Sequence, residues 1–77
     1  MKLIEQLERL ERMDQLIRLK ATGTPKGLAQ KMRISESTLY ELLNTAKELG
    51  ANIKYCRTHQ SYLYVEPVIF QMGYSSL

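Results

Sequence analysis

The chain has 77 residues, 44% hydrophobic and 25% charged, with a formal net charge of +3 and one cysteine. That length suits one small domain, residues 1–77, near the lower limit for folding without help. A single cysteine excludes a disulfide framework and a thiolate cluster for zinc, no apolar run is long enough to cross a bilayer, and the basic balance leans only weakly toward an anionic partner.

Residues 2–21 predict a long first helix. Leu3, Leu7, Leu10, Met13, Leu16, Ile17 and Lys20 trace a stripe, widened by Ile4 and Leu19. Glu5 with Arg9, Glu8 with Arg12, and Asp14 with Arg18 are acid-first pairs four apart, each adding a few tenths of a kcal/mol on a solvated face. This acid-rich, periodic start is unlike a signal or transit peptide, so a cytoplasmic, reducing location is expected. Only residues 13–19 are needed to pack on the two helices that come next in the chain. The apolar residues of 3–10 are then covered either by a second copy of the helix or by the C-terminal strands of the same chain.

Ala21-Thr22-Gly23 is a small, polar break. Thr24 before Pro25 is an N-cap with proline at the first helical position, and residues 25–32 predict a short helix with Leu28, Ala29 and Met32 on one face. Ser35 caps a further helix over residues 36–49, whose apolar face is Leu39, Leu42, Leu43, Ala46 and Leu49 and which Gly50 closes. Ile34 sits in the joint, where it plugs the angle between the two helices. Ala29 is small enough to let them approach. This is the sequence logic of a helix-turn-helix, a unit that often lays its second helix in the DNA major groove.

After Gly50 the period changes to two. Ile53, Tyr55 and Arg57 alternate with Lys54 and Cys56, then Tyr62 and Tyr64 with Leu63 and Val65, predicting a β-hairpin over residues 52–66. Pairing Arg57 with Tyr62 puts Tyr55 opposite Tyr64, with Ile53, Tyr55, Tyr62 and Tyr64 facing the helices. Residues 67–77 are a third short strand or a docked tail with a loose end. Cys56 is expected to be a half-buried strand residue rather than a reactive thiol. His59 has no expected ligand partner, so neither a metal nor a catalytic role is assigned to it. No nucleophile, acid–base pair, metal cluster or phosphate-binding loop is legible, so no enzyme activity and no cofactor are expected.

The order helix, helix-turn-helix, β-hairpin resembles the winged helix-turn-helix DNA-binding domain of bacterial transcription regulators. The residues that carry the resemblance are Leu28-Ala29, Met32, Ile34, Leu39 and Leu42, then Ile53-x-Tyr55 and Tyr62-x-Tyr64-x-x-Pro67. It implies an α+β fold, mainly α, with the hairpin as a wing and double-stranded DNA as partner. The sensory domain usual in such regulators is expected to be missing, since the sequence stops at Leu77. The resemblance further implies groove-facing positions at Ser35, Glu36, Ser37, Tyr40, Glu41 and Asn44. Asn44 would read adenine, Tyr40 a phosphate or thymine methyl, and Glu36 or Glu41 cytosine N4. Ser37 and Thr38 suit a phosphate at the helix N-terminus. Lys26, Lys31, Arg33 and Lys47 would meet phosphates, and Arg57, His59 and Gln60 would serve in the wing. A homodimer through the first helix fits the same family.

Two features depart from the family. Arg33 stands where glycine usually supplies a positive φ, so it is either strained or part of a longer turn. The second helix of the pair carries Glu36, Glu41 and Glu48 against Lys47, so its surface is net acidic. That acidity keeps a second class open, a winged helix module that binds protein.

Overall fold

The computed structural model describes residues 2–71 and 74. It contains α1 (Leu3–Arg18), α2 (Pro25–Met32), α3 (Glu36–Glu48), β1 (Ile53–Cys56) and β2 (Ser61–Tyr64), a mainly helical α+β arrangement with one two-stranded antiparallel sheet. Among the described residues no helix is long and apolar enough to cross a membrane.

The apolar stripes meet in one core. Leu10, Met13 and Ile17 of α1 are buried with Leu28, Ala29 and Met32 of α2, Leu39, Leu42, Leu43 and Ala46 of α3, and Ile53 and Tyr62 of the hairpin. Full burial of a leucine such as Leu28 or Leu39 contributes roughly 1.5–3 kcal/mol. Ile34, half-buried, packs against this core from the joint between α2 and α3. Thr24 caps α2 by accepting from the Gly27 amide, and Ser35 caps α3 by accepting from the Thr38 amide.

The helices α1, α2 and α3 end in the same way. An amide just past each helix turns back to a carbonyl of its last full turn: Ala21 to Leu16, Ile34 to Ala29, and Ala51 to Ala46. The residue before that amide has a positive φ, at Lys20 (φ 54), Arg33 (φ 58) and Gly50 (φ 110). These are Schellman exits. Only at Gly50 does the residue type announce the turn. At Lys20 and Arg33 a side chain bears a left-handed conformation that costs about 1–2 kcal/mol. The expected reach of the first helix to residue 21 is therefore corrected. It stops at Arg18 because Lys20 turns left-handed, and Lys20 leaves the apolar stripe for solvent.

Three further corrections concern packing. Leu49 does not join the apolar face of α3; it lies past the last turn and is exposed. The hairpin register pairs Ile53 with Tyr64, Lys54 with Leu63, Tyr55 with Tyr62, and Cys56 with Ser61. It is two residues off the expected pairing. An even shift leaves the faces unchanged, so Ile53, Tyr55, Tyr62 and Tyr64 still turn to the helices. Residues 67–71 form no strand; Phe70 packs on the core, and the Val68 carbonyl accepts from Arg18. The rest of the expected tail, apart from Tyr74, lies outside the described residues.

Of the apolar residues in 3–10, only the later ones are covered by their own chain. Leu10 is buried and Leu7 half-buried within the same chain, whereas Leu3 and Ile4 remain 72% and 60% exposed.

Two polar nodes hold the layers together. Thr22, in the α1–α2 link, and Ser61, at the start of β2, are both 0% exposed. The Tyr62 amide donates to Thr22 Oγ1 at 2.8 Å, the two hydroxyls lie 3.0 Å apart, and the Thr22 amide donates to Ser61 Oγ. The Thr22 side chain thus takes the place of a third strand on the free edge of β2. In the second node Asp14 accepts from the Tyr64 hydroxyl and from Arg18 Nε. Arg18 also lies over the Tyr64 ring, 5.3 Å from its centroid.

Candidate functional site

The outward face of α3 is built by subtraction. Leu39, Leu42, Leu43 and Ala46 take the inward positions at spacings of three and four. Those spacings leave Ser37, Tyr40, Glu41, Asn44 and Lys47 outward on the same helix. All five are exposed, Tyr40 to 49%. Glu36 is exposed in the first turn. Thr38 is half-buried and committed to the cap, its amide and hydroxyl both bonded to Ser35 Oγ. The Ser35 hydroxyl is therefore occupied by the cap that it makes.

The hairpin stands beside the start of this helix. Burial pushes the Tyr62 hydroxyl above its ordinary range, and Tyr40, Tyr55 and Glu36 add to the shift. Tyr62 meets Tyr55 edge-on, with ring centroids 5.2 Å apart. Glu36 and Tyr40 of α3 thus lie within electrostatic reach of the Tyr62 hydroxyl.

The expected cations lie in separate places. Lys26 is exposed in the first turn of α2. At the other end of α2, Lys31 and Arg33 join Arg12 of α1 around a shallow groove of about 310 Å³ that also touches Met32. Arg12 Nη2 reaches the Lys31 carbonyl, and Lys31 Nζ bonds the Ala21 carbonyl at the exit of α1. Lys31 is thus partly engaged in closing a helix end, where a cation is favoured. Spacing along the sequence pairs Arg12 with Glu8 alone. No sequence signal places it beside Lys31, because the contact spans 19 positions and depends on how α1 crosses α2.

Arg57, His59 and Gln60 are exposed in the turn of the hairpin. The Gln60 amide donates to the Arg57 carbonyl, and Gln60 is left-handed (φ 48). Here the expectation for His59 is corrected. It does have a partner, because its Nδ1 lies 3.2 Å from Cys56 Sγ. That hydrogen bond, seconded by the backbone of His59 and more weakly of Thr58, holds the Cys56 thiol down to about 7 against the opposing effect of burial. The readable signal is Cys-x-x-His across a four-residue turn, which brings the two side chains to the same side of the hairpin end.

No group of three or more His, Cys, Asp or Glu side chains converges among the described residues. An apolar cleft of about 250 Å³ opens between α1, the end of α3 and the tail, lined by Leu10, Met13, Ala46, Leu49, Tyr64 and Phe70 among others. Comparison with protein-family models, with curated proteins and with solved structures finds no match.

Proposed function

We propose that this chain is a winged helix-turn-helix module that binds double-stranded DNA in transcription regulation. The observation that carries this reading is the outward stripe of α3, Ser37, Tyr40, Glu41 and Asn44, all exposed. An α-helix with a free polar face fits the major groove, and an asparagine there pairs with adenine N6 and N7. The groove of Arg12, Lys31 and Arg33 supplies charge for phosphates that the acidic helix does not. The hairpin turn, with Arg57, His59 and Gln60, serves as the wing. Two copies pair through the first turn of α1, where Leu3 and Ile4 stay exposed; sedimentation that stays monomeric at high micromolar concentration removes this part of the reading.

The test is fluorescence polarisation of labelled duplexes at about 50 mM salt, then selection from a random pool. Affinity is expected to fall steeply with salt, since each neutralised phosphate contributes a slope of roughly −0.9 in log K against log salt. No binding at low salt overturns the reading. A second reading, a protein-binding module, draws on Glu36, Glu41 and Glu48, all exposed on α3. It is favoured if a captured partner is lost on Glu41→Lys while duplex affinity is nil.

A further inference from the structure

The hairpin turn carries chemistry that duplex binding does not use. Cys56 ends β1, and His59 stands three residues on, inside the turn. Its Nδ1 is 3.2 Å from Cys56 Sγ, and the backbone of His59 and Thr58 lowers the thiol further. An imidazole nitrogen at that distance favours thiolate over thiol. Cys56 is half-buried and His59 exposed, so small reagents reach the pair. Beside it lies a depression of about 380 Å³ lined by Lys54, Tyr55, Arg57, Leu63 and Tyr64 among others, with two cations and no carboxylate in its lining. The charged and titratable groups around the sulfur are therefore His59, Lys54, Arg57 and the two tyrosines.

From this geometry we infer that Cys56 is a site of reversible S-thiolation by a low-molecular-weight disulfide that bears carboxylates, with the adduct lying between Lys54 and Arg57. The Cys56 thiolate attacks one sulfur of the disulfide. A Cys56 Sγ–S bond forms as the original S–S bond breaks, and the departing thiolate carries off the electron pair. The departing thiolate takes up a proton from solvent. The small disulfide is the only oxidant required. The sequence holds one cysteine, so no internal disulfide competes. The site stands on the hairpin alone. Only its consequence rests on the DNA-binding reading: the adduct adds negative charge to a turn meant to face phosphates, so the modified chain binds duplex less well.

The experiment compares the native chain with two variants. Alkylation of Cys56 by iodoacetamide is timed across pH, and oxidised glutathione or cystamine is then added at pH 7, with the adduct located by peptide mass spectrometry. Half-maximal alkylation is expected near pH 7 in the native chain and higher in His59→Gln. At pH 7 the native chain should react about five-fold faster than His59→Gln, because a larger thiolate fraction outweighs a weaker nucleophile. Lys54→Glu with Arg57→Glu should slow oxidised glutathione and speed cystamine, whose amines reverse the charge. A native half-maximum at about 8.5 or above, the ordinary thiol range, overturns the inference without any variant. So does equal reactivity of a folded His59→Gln, or indifference to the charge reversal. Duplex affinity of the unmodified chain is measured separately and reports on the DNA reading alone.

Discussion

Replacing Thr22 by valine tests the node that joins the α1–α2 link to the sheet. The two side chains have nearly the same shape, but valine has no hydroxyl. In the native chain the Thr22 oxygen accepts from the Tyr62 amide at 2.8 Å and lies 3.0 Å from Ser61 Oγ, with both hydroxyl residues at 0% exposure. Valine leaves a buried amide without an acceptor and strips Ser61 of one partner. An unmet buried donor costs about 1–3 kcal/mol, and the weakened Ser61 contact adds about 1. The sum, roughly 2–4 kcal/mol, is large against the roughly 4–12 kcal/mol that a chain this short can hold. Thr22→Ser keeps the oxygen and loses one methyl group, worth about 1 kcal/mol. Urea unfolding monitored by circular dichroism should therefore rank native above serine above valine, with similar slopes. The thermal midpoint should fall by roughly 8–32 °C for valine, at about 4–8 °C per kcal/mol. If valine proves as stable as serine, apolar packing holds this link and the hydroxyl does not.

Arg33→Gly should raise stability by about 0.5–1 kcal/mol in denaturant, since glycine removes the cost of the left-handed exit (φ 58) and returns part of it as chain entropy. The same variant should weaken duplex binding on every sequence alike and flatten the salt slope by about 1, as loss of a phosphate contact does. Stability that falls instead shows that the arginine side chain gains more in contacts than its backbone costs. Asn44→Ala should weaken a selected site by about 1–3 kcal/mol and leave random duplexes unaffected; uniform weakening in a polarisation assay removes Asn44 from base reading. Tyr64 gives a pH dependence. Burial, then the hydrogen bond to Asp14, raises its hydroxyl above the ordinary value of 10. The folded chain then holds a proton that the unfolded chain releases, so this contribution is whole below pH 10 and is lost as pH rises above it. Unfolding curves should show the alkaline loss reduced in Tyr64→Phe, and an unchanged slope refutes the assignment.

Helix positions are legible because their signals are local. Thr24-Pro25, Ser35 and Gly50 mark caps by residue type, and the spacing of Leu39, Leu42, Leu43 and Ala46 marks a face without reference to any neighbour. The left-handed exits at Lys20 and Arg33 are not written in residue type. They exist because Ala21 and Ile34 must turn back onto their helices for the chain to reach the next element. Hairpin faces are readable, since alternation sets parity, but the register is not. It depends on a turn without an Asn-Gly signature and on where Thr22 meets Ser61.

The candidate site divides along the same line. Exposure of Tyr40 and Asn44 comes from helical period, and the stretch from Thr24 to Asn44 contains what it needs. The groove of Arg12, Lys31 and Arg33 and the contact of Tyr64 with Asp14 have no such local origin. Each joins residues from elements distant in sequence, so its existence depends on crossing angles and docking. The amino-acid order by itself determined which residues turn inward on each element, because side-chain period is a property of one helix or one strand. Only the packed structure decided which outward charges become neighbours, because electrostatic partnership depends on distance in space, and distance between elements is set by the core they share.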